Sequence, residues 1–242
     1  MNRHSPSQDS GTPGHGALLD GVELVILDFD GVIADSEVIS LASLREALAA
    51  FGVDLSVEDV RRAFLGRSLA SIQAYVERHG PHGKKRDFAD TWQTTLFDRF
   101  RAELKPIPHV LTFLKHLSER GIPYCIASSG TFERLGVALS AMKLSEQFTF
   151  IFSAEQVARG KPEPDLFLFA AKQIGVRPDA CLVIEDSPFG VRAAKAANMR
   201  CVGFVGGSHL HENMGEHSEL LRQQGADAVV ASLAALSARH AS

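Results

Sequence analysis

Short apolar runs, each ended by glycine or by polar residues, set the tightest limit on how this chain can fold. The first is Val22-Glu23-Leu24-Val25-Ile26-Leu27, stopped by Asp28-Phe29-Asp30-Gly31. Similar runs recur at 123–127, 148–152, 181–184 and 201–205, and 227–230 adds another. Runs of this length with β-branched residues suit strands buried on both faces of a parallel sheet. Helical patterns separate them. Val110, Phe113, Leu114 and Leu117 are spaced i, i+3, i+4, i+7, with Gly121 where a helix is expected to end. Leu135, Leu139 and Met142 form a second stripe, and 164–174 forms a third that closes at Gly175. The alternation predicts right-handed βαβ units, that is, an α/β fold with a doubly wound parallel sheet.

One stretch breaks the alternation. Between 38 and 104 only helical patterns occur, with Ser56-Val57-Glu58-Asp59 resembling a capping box and Gly52 and Gly80 as punctuation. Pro106 and Pro108 mark the return. The expected division is a flexible tail at 1–20, a small helical cap domain at 37–105, and a core domain built from 21–36 and 106–242. The tail is rich in Ser, Gly, Pro and His and lacks the apolar centre of a signal peptide.

A net charge of -4 supplies no basic field for a nucleic-acid backbone or an anionic membrane surface. No uninterrupted apolar run approaches the roughly 20 residues needed to span a bilayer. Cys125, Cys181 and Cys201 sit in apolar runs with no C-x-x-C pair, which fits buried, reduced thiols and a cytoplasmic protein.

Ligands of doubly wound sheets bind beyond the carboxyl ends of the strands, so the polar residues that follow each run carry the functional information. After the first come Asp28 and Asp30, two positions apart and hence on one side of an extended chain. Gly31 allows a sharp turn there. Ser128-Ser129-Gly130-Thr131 offers hydroxyls and free amides ahead of a helix, as a phosphate cradle or as a simple N-cap. Lys161, followed by Pro162 and Pro164, is presented from a stiffened loop. Glu185 and Asp186 end the run at 181–184, where paired acids are rarely placed without a cation. Oxygen ligands of this kind suit Mg²⁺. Four strand ends supplying Asp/Asp, Ser, Lys and Glu/Asp fit phosphoryl transfer to a carboxylate.

Asp28-Phe29-Asp30-Gly31-Val32, Ser128, Lys161-Pro162 and Glu185-Asp186-Ser187-Pro188-Phe189-Gly190 together resemble the haloacid dehalogenase superfamily. The branch they resemble is that of β-phosphoglucomutase and the sugar-phosphate phosphatases, with a helical cap after the first strand. The resemblance implies Asp28 as nucleophile and Asp30 as general acid/base, with Ser128 and Lys161 binding phosphate, and Ser129 of the same hydroxyl cradle is a further phosphate-binding candidate. It also implies Mg²⁺ held by Asp28, the Asp30 carbonyl and Asp186, with Glu185 nearby or ligating. In such a cap, Gly66, Arg67 and Ser68 fall at the specificity loop; Arg67 is a substrate contact or an exposed loop residue, and Ser68 a contact or a helix N-cap. Asp35, Ser36 and Glu37 lie at the hinge, to gate the cap or to cap the next helix.

Mutases of this branch carry a histidine shortly after the first motif, where this chain has Ser40. Hydrolysis is therefore expected over phosphotransfer of the β-phosphoglucomutase type. The segment 30–39 resembles phosphatases of phosphosugar acids such as 6-phosphogluconate. A signalling receiver domain shares the acids, hydroxyl and lysine, but a large insertion and a second acid at Asp30 argue for a turnover catalyst. The expected partner is a small phosphorylated metabolite, with no nucleic acid and no membrane, and the expected state is a monomer or weak homodimer. His209-Leu210-His211 is expected to be a polar surface loop rather than a metal pair. Trp92 is expected in the core of the cap.

Overall fold

The computed structural model describes residues 18–64, 69–80 and 87–237. Six strands, β1 (Leu24–Leu27), β2 (Tyr124–Ser128), β3 (Ile151–Ser153), β4 (Cys181–Glu185), β5 (Arg200–Phe204) and β6 (Ala228–Val230), form one sheet in the order β3-β2-β1-β4-β5-β6. Every pairing is parallel, and Val25 of β1 is in register with Tyr124 on one side and Leu182 on the other. The chain runs outward from β1 to β3, then returns to the other side of β1 for β4 to β6. The strand order therefore reverses beside β1 and β4, which opens a crevice at their carboxyl ends. Asp28 and the Glu185/Asp186 pair lie at those ends.

Ten helices are described: α1 (Glu37–Ala50), α2 (Val57–Phe64), α3 (Leu69–His79), α4 (Phe88–Glu103), α5 (Val110–Glu119), α6 (Phe132–Ala141), α7 (Asp165–Ile174), α8 (Pro188–Ala196), α9 (Met214–Gln223) and α10 (Ala234–Ser237). The period-two alternation of a strand divides β1 between two cores. Val25 and Leu27 pack with α5, α6 and α10, whereas Leu24 and Ile26 pack with α7, α8 and Leu221 of α9. The stripe Val110, Phe113, Leu114 and Leu117 is wholly buried in the first core. Each of its larger side chains contributes roughly 1.5–3 kcal/mol. β3 starts three residues later than its apolar run, because 145–147 form a 3-10 turn that leaves Phe148 buried ahead of the strand.

A third apolar cluster joins Leu41, Leu44, Leu48, Phe51, Val60, Phe64, Ile72, Val76 and Phe88, with half-buried Trp92 packed against it. Asp59 N–H donates to Ser56 Oγ at the start of α2 (3.1 Å), so Ser56 caps the helix. The apolar partition falls within α4, not at its end: Leu96, Phe97, Phe100 and Leu104 belong to the first core, as does Ile39 of α1. The chain crosses between the two regions twice, side by side. Asp35 N–H donates to Lys105 O (3.0 Å) and Ile107 N–H to Ile33 O (2.8 Å).

The tail expected at 1–20 is too long. Leu19 is buried in the first core and accepts at its carbonyl from Val22 N–H, so 18–20 belong to the folded domain. No helix among the described residues is long and apolar enough to cross a membrane.

Candidate active site

The floor of the crevice is built at the ends of β1 and β4 and from the loop that carries Lys161. Lys161 Nζ donates to Asp28 Oδ1 (2.5 Å), Glu185 Oε1 (2.6 Å) and Ala127 O (3.0 Å), with its side chain 4% exposed. Glu185 Oε2 accepts from Ser187 N–H (2.9 Å), so both its oxygens are engaged. Two glycines make this closeness possible. A Cβ on Gly190 would lie 1.8 Å from Glu185 Oε1, and one on Gly31 would lie 1.9 Å from Asp186 Oδ2. Gly31 also has φ 77°, a left-handed conformation that side chains strain.

Asp28, Glu185 and Asp186 are buried and present carboxylate oxygens within 4.8 Å of one another. Three carboxylates face one ammonium, so ionising all three would leave two negative charges uncompensated in a desolvated site. Burial pushes Asp28 up to about 8 against the pull of Lys161, with Glu185 and Asp30 pushing further. Burial, then Asp28 and Glu185, raises Asp186 well above the usual carboxylate range. Burial disfavours the charge on Lys161, yet Asp28 and Glu185 outweigh it, so the ammonium persists and the surplus falls on the acids. A divalent cation would bring the cluster to neutrality, and hard oxygen donors suit one. Asp28 and Asp186 each offer a carboxylate oxygen for it.

Asp30 is not part of the three-acid cluster. Its Oδ1 accepts from Ser36 Oγ (2.5 Å) and from Arg134 Nη2 (2.7 Å), and its Oδ2 has no partner among the described residues. Ser36 is the N-cap residue of α1, but its buried side chain is turned to Asp30 and makes no capping hydrogen bond. Asp35 accepts from Ser208 N–H and Oγ (3.0 and 2.8 Å), tying the hinge to the loop after β5.

A cavity of about 520 Å³ lies above this floor, with Asp28, Asp30, Lys161 and Asp186 at its base. Ser129 lines it; Ser128 does not, being buried with its Oγ accepting from Gly130 N–H (3.0 Å). Thr131 is the N-cap of α6. Gly66, Arg67 and Ser68 lie outside the described residues.

Three further side chains line the walls: Glu37 of α1, Arg61 of α2 and His209 after β5. Glu37 and Arg61 make no hydrogen bond or ion pair among the described residues. Burial, then Asp30, lifts Glu37 to about 7. The surface loop expected at 209–211 holds only for His211. His209 turns inward, its side chain 17% exposed and its Nε2 3.4 Å from Asp186 Oδ2. Burial, reinforced by His217, lowers its pKa to about 4, so it is neutral at pH 7. Its buried Nδ1 has no partner among the described residues. Arg134 went unnoticed in the motif reading, although a cation in the first turn of a helix at the carboxyl end of the sheet was a usable signal, since the helix dipole disfavours it.

Residues 25–204 match the haloacid dehalogenase-like hydrolase family. The chain is 34% identical over 191 residues to the chloroplast protein SUPPRESSOR OF QUENCHING 1 of Arabidopsis thaliana, a match covering 75% of this chain but 18% of that much longer protein. It is 27% identical over 190 residues to the 6-phosphogluconate phosphatase of Escherichia coli K12, covering 78% and 85% of the two. Among solved structures, a HAD family hydrolase of Deinococcus radiodurans R1 with bound phosphate and sodium superposes with a TM-score of 0.73 at 32% identity, covering 89% and 93%. With its parallel sheet, its acids at the ends of β1 and β4 and a family match over most of its length, the chain belongs to the haloacid dehalogenase-like hydrolases, in the branch of the sugar-phosphate phosphatases.

Proposed function

We propose that this enzyme hydrolyses a small phosphorylated metabolite, a phosphosugar or phosphosugar acid, through a phosphorylated Asp28. The observation that carries the reading is the state of Asp28: it lines the cavity with one oxygen fixed by Lys161 and the other without a hydrogen-bond partner among the described residues. Asp28 Oδ2 attacks phosphorus in line as the bond to the leaving oxygen breaks. Asp30 delivers a proton from Oδ2 to that oxygen, then takes one from the water that attacks the phosphoaspartate, which regenerates Asp28. Lys161 and Ser129 hold phosphate oxygens, and Ser128 shapes the loop from behind. Asp28, Asp186 and the Asp30 carbonyl would hold Mg²⁺, which when bound supplies neutralisation of phosphate charge. Glu185, with both oxygens engaged, orients Lys161.

The walls support the substrate class. Glu37 is an acceptor for sugar hydroxyls, and Arg61 is a donor for hydroxyls or a carboxylate. Ser40, where a mutase would have histidine, accepts from Arg134 Nη2 (3.1 Å), and water remains the acceptor of the phosphoryl group. Three buried free cysteines fit a reducing compartment such as the cytoplasm.

The test is phosphate release from p-nitrophenyl phosphate and from a panel of phosphosugars and phosphosugar acids. Asp28→Asn should release none while keeping its far-UV dichroism, and EDTA should stop the wild type until Mg²⁺ is added. Turnover by Asp28→Asn would remove the nucleophile assignment, and EDTA-insensitive turnover would remove the metal.

A further inference from the structure

Arg134 occupies a position that its own surroundings do not favour. It stands in the first turn of α6, where the helix dipole disfavours a cation, and its Nε is shielded from solvent without a hydrogen-bond partner among the described residues. Its side chain and that of Asp30 are each 20% exposed. Two contacts compensate: Nη2 donates to Asp30 Oδ1 (2.7 Å) and to Ser40 Oγ of α1 (3.1 Å). The guanidinium carbon lies 5.4 Å from the centre of the Phe100 ring of α4, so the side chain is wedged among three helices. A residue placed at such local cost, and reaching the acid beside the nucleophile, serves that acid.

We infer that Arg134 is a positioning residue that holds Asp30 by one oxygen so that the other carries the transferred proton. The inference rests on the phosphatase reading above. Arg134 and Ser36 both donate to Oδ1, which makes Oδ1 the poorer proton site and leaves Oδ2 unencumbered as the proton-carrying atom. The same nitrogen bonds Ser40, and thereby couples the aim of Asp30 to the seating of α1.

The leaving group separates positioning from mere structure. An alkyl phosphate needs its leaving oxygen protonated as the bond breaks, whereas p-nitrophenolate departs without help. In Arg134→Met, kcat/KM for an alkyl phosphate such as a phosphosugar should fall about 10²–10³-fold, the range of general-acid catalysis. For p-nitrophenyl phosphate the fall should be at least tenfold smaller, while phosphoenzyme accumulates because water is no longer activated. Arg134→Lys, which keeps one charged donor, should recover part of the alkyl phosphate rate. An equal loss with both leaving groups, or no recovery in Arg134→Lys, would overturn the positioning role. Should the wild type fail to hydrolyse either ester, the phosphatase reading itself falls, and this inference with it.

Discussion

The floor and the walls of the cavity are built on opposite plans. On the floor, Lys161 satisfies Asp28 and Glu185 at once, and Ser187 N–H takes the remaining oxygen of Glu185. On the walls, Glu37 and Arg61 face the same space with no partner among the described residues, and His209 lines it with a shielded Nδ1 that also lacks one. A floor whose groups already hold one another is set before any ligand arrives, as electrostatic catalysis requires. Walls with open valences are completed by whatever binds, as specificity requires. On the proposed function the floor carries the reaction and the walls recognise the substrate, so substitutions in the two should be distinguishable.

The largest effect is expected on the floor. Lys161→Met removes the cation from between buried carboxylates, and phosphate release should fall on the order of 10³-fold or more for every substrate alike. A loss that varied from one substrate to the next would blur the division. Next come the walls. Arg61→Ala and Glu37→Gln should each lower kcat/KM for the preferred sugar phosphate by about 10–100-fold, as unpaired polar groups cost about 1–3 kcal/mol. Turnover of p-nitrophenyl phosphate, which has no hydroxyls to recognise, should stay within about threefold. Uniform losses would assign these side chains to the chemistry instead.

The smallest effect concerns stability. Glu37 has a pKa of about 7 in the folded protein against 4.5 as its ordinary value, so its ionised form is disfavoured by folding. Metal-free protein should therefore lose stability as pH rises from about 4.5 through 7. Glu37→Gln should remove that loss, melting with the wild type near pH 4 and roughly 2–4 °C above it at pH 8 for each kcal/mol relieved. Parallel melting curves for the two proteins across this range would show that Glu37 is solvated.

The floor was legible because Asp28, Glu185 and Asp186 stand at or directly after the end of an apolar strand, and Lys161, well beyond β3, is marked by the two prolines that follow it, so local pattern suffices. Asp28, Lys161, Glu185 and Asp186 needed no long-range information. The walls were not legible, because Glu37, Arg61 and His209 come from three segments that meet only when the insertion packs on the sheet. His209 illustrates the limit: His-Leu-His reads as a polar loop, and only the fold turns one imidazole inward over Asp186. Ser128 shows what a strand-end rule leaves open. It sits at the right strand end but points into the protein, and its neighbour Ser129 reaches the cavity. Arg134 is a mixed case, missed in the motif reading despite its unfavourable helix position and explained only by Asp30 across the fold.

The paired crossings at Asp35 and Lys105 bear on how such a protein can be re-engineered. Because the two chain segments run side by side, bridging them with a short turn closes a small loop at little entropic expense, whatever length is removed. Yet an excision made at those crossings would strip Ile39, Leu96, Phe97, Phe100 and Leu104 from the core beneath. A graft that exchanges the lid should be cut farther up, above Leu96 on α4 and beyond Ser40 on α1. The replaceable module is thus smaller than the inserted sequence, and its lower rim belongs to the host.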